Sequence, residues 1–128
     1  MKILLTTALL ATSALTCFAS TPTSRVHFRP GSTYTVLRGY STPARSNHIY
    51  IVRARRGQTL NMSISSTTRG FVPMIFITSP SGRNLIEDKR YQFKTRLTES
   101  GDYRIRVAVN QMATDARSGN YRLPLSIR

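Results

Sequence analysis

The side chains that most often do chemistry are scarce in this chain of 128 residues, and their spacing does not favour catalysis. The five acidic residues are Glu87, Asp88, Glu99, Asp102 and Asp115. Glu87 and Asp88 would diverge on a strand, because successive side chains point to opposite faces, and Glu99 and Asp102 flank a predicted turn. No pair has a spacing that predicts a general acid and base at a sugar bond.

Metal, nucleophile and phosphate sites are not predicted either. His27 and His48 lie in strand-like segments with no cysteine or second histidine nearby, so the sequence does not favour a zinc site. No serine lies in a nucleophile-elbow pattern, and no glycine-rich phosphate loop occurs. We therefore predict a binding protein with no enzymatic activity and no cofactor.

Residues 1–19 have the pattern of a signal peptide. A positive start at Lys2 precedes an apolar run, and Cys17-Phe18-Ala19 then supplies small residues at the two positions that a signal peptidase reads. We place the cleavage after Ala19, with Ser20 as the alternative, which leaves residues 20–128 as a single domain. The sequence thus predicts a periplasmic or secreted protein.

Membrane attachment is less well supported than cleavage. The apolar run is about 14 residues long, whereas a transmembrane helix needs roughly 20, so we predict no transmembrane segment in the mature chain. Lipid attachment at Cys17 is a weaker alternative, since leucine is not found three places before that cysteine, where Ala14 stands, and Thr16 stands where Gly, Ala or Ser is expected. Cleavage also removes the chain's one cysteine, so no disulfide supports the mature domain.

Charge gives the first indication of a partner. The mature chain has 18 basic residues against five acidic ones, a net charge of +13, and 16 of the basic residues are arginine. The guanidinium group presents a planar fork of donors that matches carboxylate and phosphate. We expect a partner that is anionic, at least where it makes contact.

Strands, rather than helices, carry these arginines. Apolar residues alternate with Arg104 and Arg106 from Tyr103 to Val109, and with Arg122 from Tyr121 to Ile127. A period of two predicts strands with one core face and one basic face. Similar segments, bounded by turn residues, recur along the mature chain.

Eight or nine short strands without a helical pattern predict an all-β fold, an antiparallel β-sandwich. We expect 48–54 and 59–65 to form a hairpin, and the continuously apolar segment 74–78 to be buried on both sides.

Three features are candidates for binding. Arg104, Arg106 and Arg122 could form a docking stripe, although charged outer faces also protect sheets from aggregation. A second cluster, Arg53, Arg55 and Arg56, could bind an anion or be merely solvated. The third is the long loop 111–120, because long loops on rigid sheets often bind.

Tyr40 could present an exposed tyrosine beside the loop 111–120. It follows Gly39 at a strand end and precedes the polar stretch 41–47. The sequence alone allows an exposed tyrosine or one that is packed at the strand end.

Several motifs resemble a known family. They are Arg53-Ala54-Arg55-Arg56-Gly57-Gln58-Thr59-Leu60, Ser79-Pro80-Ser81-Gly82 and Leu97-Thr98-Glu99-Ser100-Gly101-Asp102-Tyr103, followed by the last strand 121–127. Together they resemble the bacterial pre-peptidase C-terminal type of β-sandwich. Within that fold, 26–31, 38–40 and 115–117 are similar to the corresponding stretches of periplasmic inhibitors of g-type lysozyme.

The resemblance implies a protein that fills the active-site cleft of a lysozyme. In the family, an exposed tyrosine and two loop arginines are thought to enter the cleft, where an arginine meets the catalytic glutamate. They map to Tyr40 and to Arg117, beside Asp115, whereas Ala113 stands where the other arginine is expected. Because the connection after Tyr40 is longer than in the family, Arg45 is a further candidate contact.

An alternative hypothesis assigns a different partner to the same fold. The arginines could instead bind an anionic surface such as lipopolysaccharide or an acidic glycan. Nucleic acid is not favoured, since the chain has no tryptophan and no aromatic platform among its basic residues.

Overall fold

Alternation of apolar and polar side chains produces nine strands, which pack as two sheets around one core. The computed structural model describes residues 22–42, 48–86, 91–110 and 118–128. Within these ranges the strands are β1 (Thr23–Arg25), β2 (Tyr34–Ser41), β3 (His48–Ala54), β4 (Thr59–Ser63), β5 (Ser65–Ser66), β6 (Pro73–Thr78), β7 (Gln92–Arg96), β8 (Gly101–Val109) and β9 (Gly119–Ile127). The predicted all-β sandwich is confirmed.

The two sheets are built from strands that are distant in sequence. One has four strands in the order β1-β3-β8-β6; the other has the order β2-β9-β4-β7, with β5 also paired to β9. Strand β1 runs parallel to β3, and all other pairs are antiparallel. No helix in the described part of the chain is long and apolar enough to span a membrane.

The core is the layer where the inner faces of both sheets meet. Its fully buried members come from β3, β4, β6, β8 and β9 and include Leu60, Ile75, Ile105, Leu123 and Leu125. Apolar area removed from water is the main favourable contribution to folding. As predicted, the basic residues of β8 and β9 point away from this layer.

Three sequence expectations need correction. Segments 48–54 and 59–65 do not form a hairpin, because β3 and β4 belong to different sheets. The second segment is also divided into β4 and β5, opposite Pro124 of β9; proline lacks the N–H group that a continuous ladder requires. Strand β6 is an edge strand with alternating burial and is not enclosed on both sides.

Candidate functional site

Tyr40 projects from the outer face of the five-stranded sheet, near the end of β2. Its side chain is 57% exposed, so the packed alternative is wrong. The antiparallel ladder places Asn120 of β9 directly opposite Tyr40, and Gly119 opposite the buried Ser41. The tyrosine is therefore exposed on backbone that is hydrogen-bonded to a neighbouring strand.

Two glycines make this close packing possible. A Cβ atom at Gly39 would lie 2.3 Å from the Tyr121 hydroxyl oxygen, and one at Gly119 would lie 2.5 Å from the Phe71 ring. Only hydrogen fits at these two positions, because the rings of Tyr121 and Phe71 cover the backbone. The rings of Tyr121 and Phe71 thus pack directly against the backbone at the end of the β2–β9 ladder.

A buried phenol pair lies beneath the same position. The hydroxyl oxygens of Tyr50 and Tyr121 are 2.6 Å apart, and both side chains are buried. Burial raises the pKa of both phenols, so both stay neutral. Because Tyr50 is on β3 and Tyr121 on β9, this hydrogen bond joins the two sheets directly under the exposed tyrosine.

The other predicted contacts lie outside the described residues. These are Arg45, Asp115 and Arg117, together with Ala113. One described range ends at Thr42, two residues after Tyr40, and another begins at Ser118, two residues before Asn120. The sequence segments that carry Arg45 and Arg117 are therefore both attached next to the Tyr40 and Asn120 pair.

A groove of about 580 Å³ runs beside Tyr40. Seven residues line it, namely Arg38, Gly39, Tyr40, Thr67, Asn120, Tyr121 and Arg122. Sequence analysis did not connect Arg122 or Asn120 with Tyr40. Alternation alone places residues 38 and 40 on one face of β2 and residues 120 and 122 on one face of β9, but it does not indicate that the two strands pair.

The predicted stripe of three arginines is not one surface. Arg104 and Arg106 are on β8 of the four-stranded sheet, whereas Arg122 is on β9 of the other sheet. The guanidinium group of Arg106 lies 4.2 Å from the centroid of the Phe76 ring. Arg106 therefore makes an intramolecular cation–π contact with Phe76.

The second predicted basic cluster is spread over the end of the four-stranded sheet. Arg53 lies opposite Asp102 in the β3–β8 ladder. Arg55 and Arg56 are exposed residues at the turn after β3, and the Arg56 N–H donates to the Ser100 hydroxyl at 2.8 Å. The cluster is solvent-exposed and has an acidic neighbour.

The two carboxylates in the described part of the chain are already engaged. Arg25 donates two hydrogen bonds to Asp102, at 3.0 and 3.1 Å, and these lower the pKa of the Asp102 carboxyl group. Donation from the Ser81 and Ser79 hydroxyls lowers the pKa of Glu99, and Arg83 lies 3.9 Å away. Neither carboxylate is poised as a proton donor near neutral pH.

The histidines are not arranged as metal ligands. The ring of His48 stacks on Tyr50 with centroids 4.2 Å apart, and its Nε2 lies 3.0 Å from the Ser24 hydroxyl. Burial lowers the pKa of His48. His27 is exposed, and across the described residues no three potential metal ligands cluster.

Comparison with solved structures identifies proteins of the same shape. The chain resembles a periplasmic inhibitor of g-type lysozyme from Aeromonas hydrophila, with a TM-score of 0.69 and 23% identity over 84% of this chain and 96% of that one. The corresponding inhibitor from Salmonella Typhimurium gives a TM-score of 0.63 and 19% identity over 85% and 100% of the two chains. The pre-peptidase C-terminal domain of a Bacillus anthracis collagenase gives 0.56 and 14%, over 85% and 97%.

Sequence comparison adds nothing to this, because no protein-family model and no curated relative matches the chain. At identities below one quarter, a structural likeness establishes the fold alone. The chain therefore has the pre-peptidase C-terminal type of β-sandwich fold, which the periplasmic g-type lysozyme inhibitors also have.

Proposed function

We propose that this protein is an exported, non-enzymatic inhibitor of a lysozyme of the g-type class. The observation that carries the proposal is an exposed Tyr40 at a rigid strand end, on a fold shared with inhibitors of that enzyme class. The segments that contain Arg45 and Arg117 adjoin this strand end in the sequence. The predicted leader and the periplasmic location of the inhibitors with this fold support export to the same compartment.

The proposed mechanism is occupation of the cleft. Tyr40 would insert as a largely preorganised aromatic anchor, and tyrosine and arginine are the side chains most often found at interface hot spots. Arg117 would donate two hydrogen bonds to the catalytic glutamate of the enzyme, a strong charge-assisted pair. A lysozyme that needs its glutamate as a proton donor would be inactive with that group ionised and occupied.

Titration of the purified protein against g-, c- and i-type lysozymes on suspended peptidoglycan tests this function, with loss of turbidity as the readout. We expect protection against the g-type enzyme at near-equimolar ratios. No protection at a modest molar excess would refute the proposed function.

Tyr34 provides a matched control for the role of Tyr40. Both tyrosines are exposed on the outer face of β2, at 50% and 57%, and six residues of extended strand separate them by about 20 Å. Tyr40→Ala should weaken inhibition by about 30-fold or more, as expected for a hot-spot residue of at least ~2 kcal/mol. Tyr34→Ala should change it less than about threefold, and equal effects would contradict the assignment of Tyr40.

A polyanion-binding module remains the alternative function, favoured by the cationic side chains on the outer faces of the sheets. Salt distinguishes the two functions. Binding to lipopolysaccharide or an acidic glycan should weaken steeply between about 50 and 200 mM salt, whereas a cleft-filling inhibitor should keep much of its affinity.

A further inference from the structure

Two arginines face each other across the β2–β9 ladder, in the groove beside Tyr40. Arg38 and Arg122 are directly opposite in register, and Tyr40 and Asn120 form the next outward-facing pair along the same two strands. Directly opposed side chains in an antiparallel pair have Cβ atoms about 4.5–5.5 Å apart, and like charges in this arrangement are destabilising. The fold thus keeps an unfavourable pair of cations next to its most exposed large aromatic residue.

Neither guanidinium group is neutralised from within the described part of the protein. Asp102, on β8, is bound by Arg25. Glu99, in the turn before β8, lies 3.9 Å from Arg83. The described residues of β2, β4, β5, β7 and β9 include no acidic side chain. The described residues of this sheet therefore supply no carboxylate side chain to Arg38 and Arg122.

The groove has the form of a recognition site for one carboxylate. Arg38 and Arg122 are paired on neighbouring strands and line one groove, and bidentate pairing of arginine with carboxylate is strong and geometrically specific. The Asn120 amide and the Thr67 hydroxyl line the same groove. Arg38 and Tyr40 flank Gly39 on β2, so their side chains leave the same face of the β2–β9 ladder.

From this geometry we infer that Arg38 and Arg122 together bind an acidic side chain at the rim of the target enzyme's cleft while Tyr40 enters the cleft. This inference rests on the proposed function and adds to it a contact that determines which lysozyme is bound. The occupant is a carboxylate of a protein; an acidic glycan in the same groove is an outcome that the experiment separates.

The test compares two double variants that remove the same charge from the same sheet. Arg38→Gln/Arg122→Gln removes the groove pair, and Lys94→Gln/Arg96→Gln removes two exposed outward cations from β7, the strand at the other edge of the sheet. Binding to the inhibited g-type lysozyme is measured by surface plasmon resonance at physiological salt, with urea unfolding of each variant as the stability control.

We expect the groove variant to lose at least about tenfold in affinity, mostly through faster dissociation, as for other desolvated charge pairs. The β7 variant should change less than about threefold. Removing the opposed cations should leave the protein at least as stable as the wild type, so a loss of affinity will not reflect unfolding.

The results that would overturn the inference are distinct. Equal losses in the two double variants would indicate a general charge effect. An unchanged groove variant, with the wild type still inhibitory, would refute the role of this pair alone. Failure of the wild type to bind any lysozyme would refute the proposed function as well, and selective loss of binding to immobilised polygalacturonate in the groove variant would then assign the pair to an acidic glycan.

Discussion

The buried hydrogen bond between Tyr50 and Tyr121 gives the sharpest test of how the sandwich supports its exposed site. The perturbation is a double-mutant cycle with Tyr50→Phe, Tyr121→Phe and both changes together. Each substitution keeps the ring, including the Tyr121 ring that covers Gly39, and removes only a hydroxyl group from a contact of 2.6 Å. The cycle therefore isolates the interaction between the two phenols.

The expected energies follow from burial. A single substitution leaves the remaining hydroxyl group without its partner in a nearly water-free position, which costs about 1–3 kcal/mol. Replacing both hydroxyls removes the unsatisfied group, so the double variant should cost no more than either single variant. Independent contributions would instead add to roughly twice the single cost.

Urea unfolding monitored by circular dichroism measures these free energies, and an unchanged slope with denaturant shows that the unfolded state is unaffected. Inhibition of lysozyme by the double variant should match that of the wild type, because the ring beneath Gly39 remains. Additive destabilisation in the cycle would refute the view that the two hydroxyls satisfy one another across the sheets.

Two further predictions concern the surroundings of this pair. Gly39→Ala should lower the free energy of unfolding by about 1–3 kcal/mol through overpacking against Tyr121, and it should also weaken inhibition. Urea unfolding measures the first effect and the turbidity assay the second. A variant that is as stable and as active as the wild type would contradict the close packing of the Tyr121 ring on Gly39. For His48, burial lowers the pKa in the folded protein below its ordinary value of 6.5, so the unfolded chain binds more protons and stability should fall as the pH drops below about 6.5. His48→Gln should remove this pH dependence and His27→Gln should not, as judged from the midpoints of urea unfolding between pH 7.5 and 5. If the midpoint of His48→Gln still falls with pH as in the wild type, the pH dependence does not come from His48.

Alternation predicted the strands well because it reports a local property. Each strand needs one apolar face, whichever sheet it joins, so the inward positions of β8 and β9 could be identified from Tyr103 and Tyr121 onward. The same pattern carries no information about sheet membership. For this reason the hairpin of β3 and β4 was predicted wrongly, although consecutive strands are neighbours in most folds.

The candidate site was predictable only in part, for a related reason. Tyr40 could be found from its position after Gly39 and from the family resemblance, but the sequence alone did not decide whether it is exposed or packed at the strand end, and the structure shows it exposed. The pairing of Arg38 with Arg122, which are 84 positions apart in the sequence, depends on the register of β2 and β9. Neither residue's type nor its local spacing encodes that register.

Because the protein has a large positive net charge, recognition of its target depends on short-range contacts more than on long-range attraction. A lysozyme that is itself basic would be repelled at long range by this basic chain, whose full sequence has a net charge of +14, and this repulsion falls off over a Debye length of about 8 Å at physiological ionic strength. Selection of the target must therefore arise from contacts within that distance. The proposed binding of an enzyme carboxylate by Arg38 and Arg122 would meet the requirement, because it would act only on a group that the cleft brings into the groove, and it would distinguish lysozymes that have such a group from those that lack one.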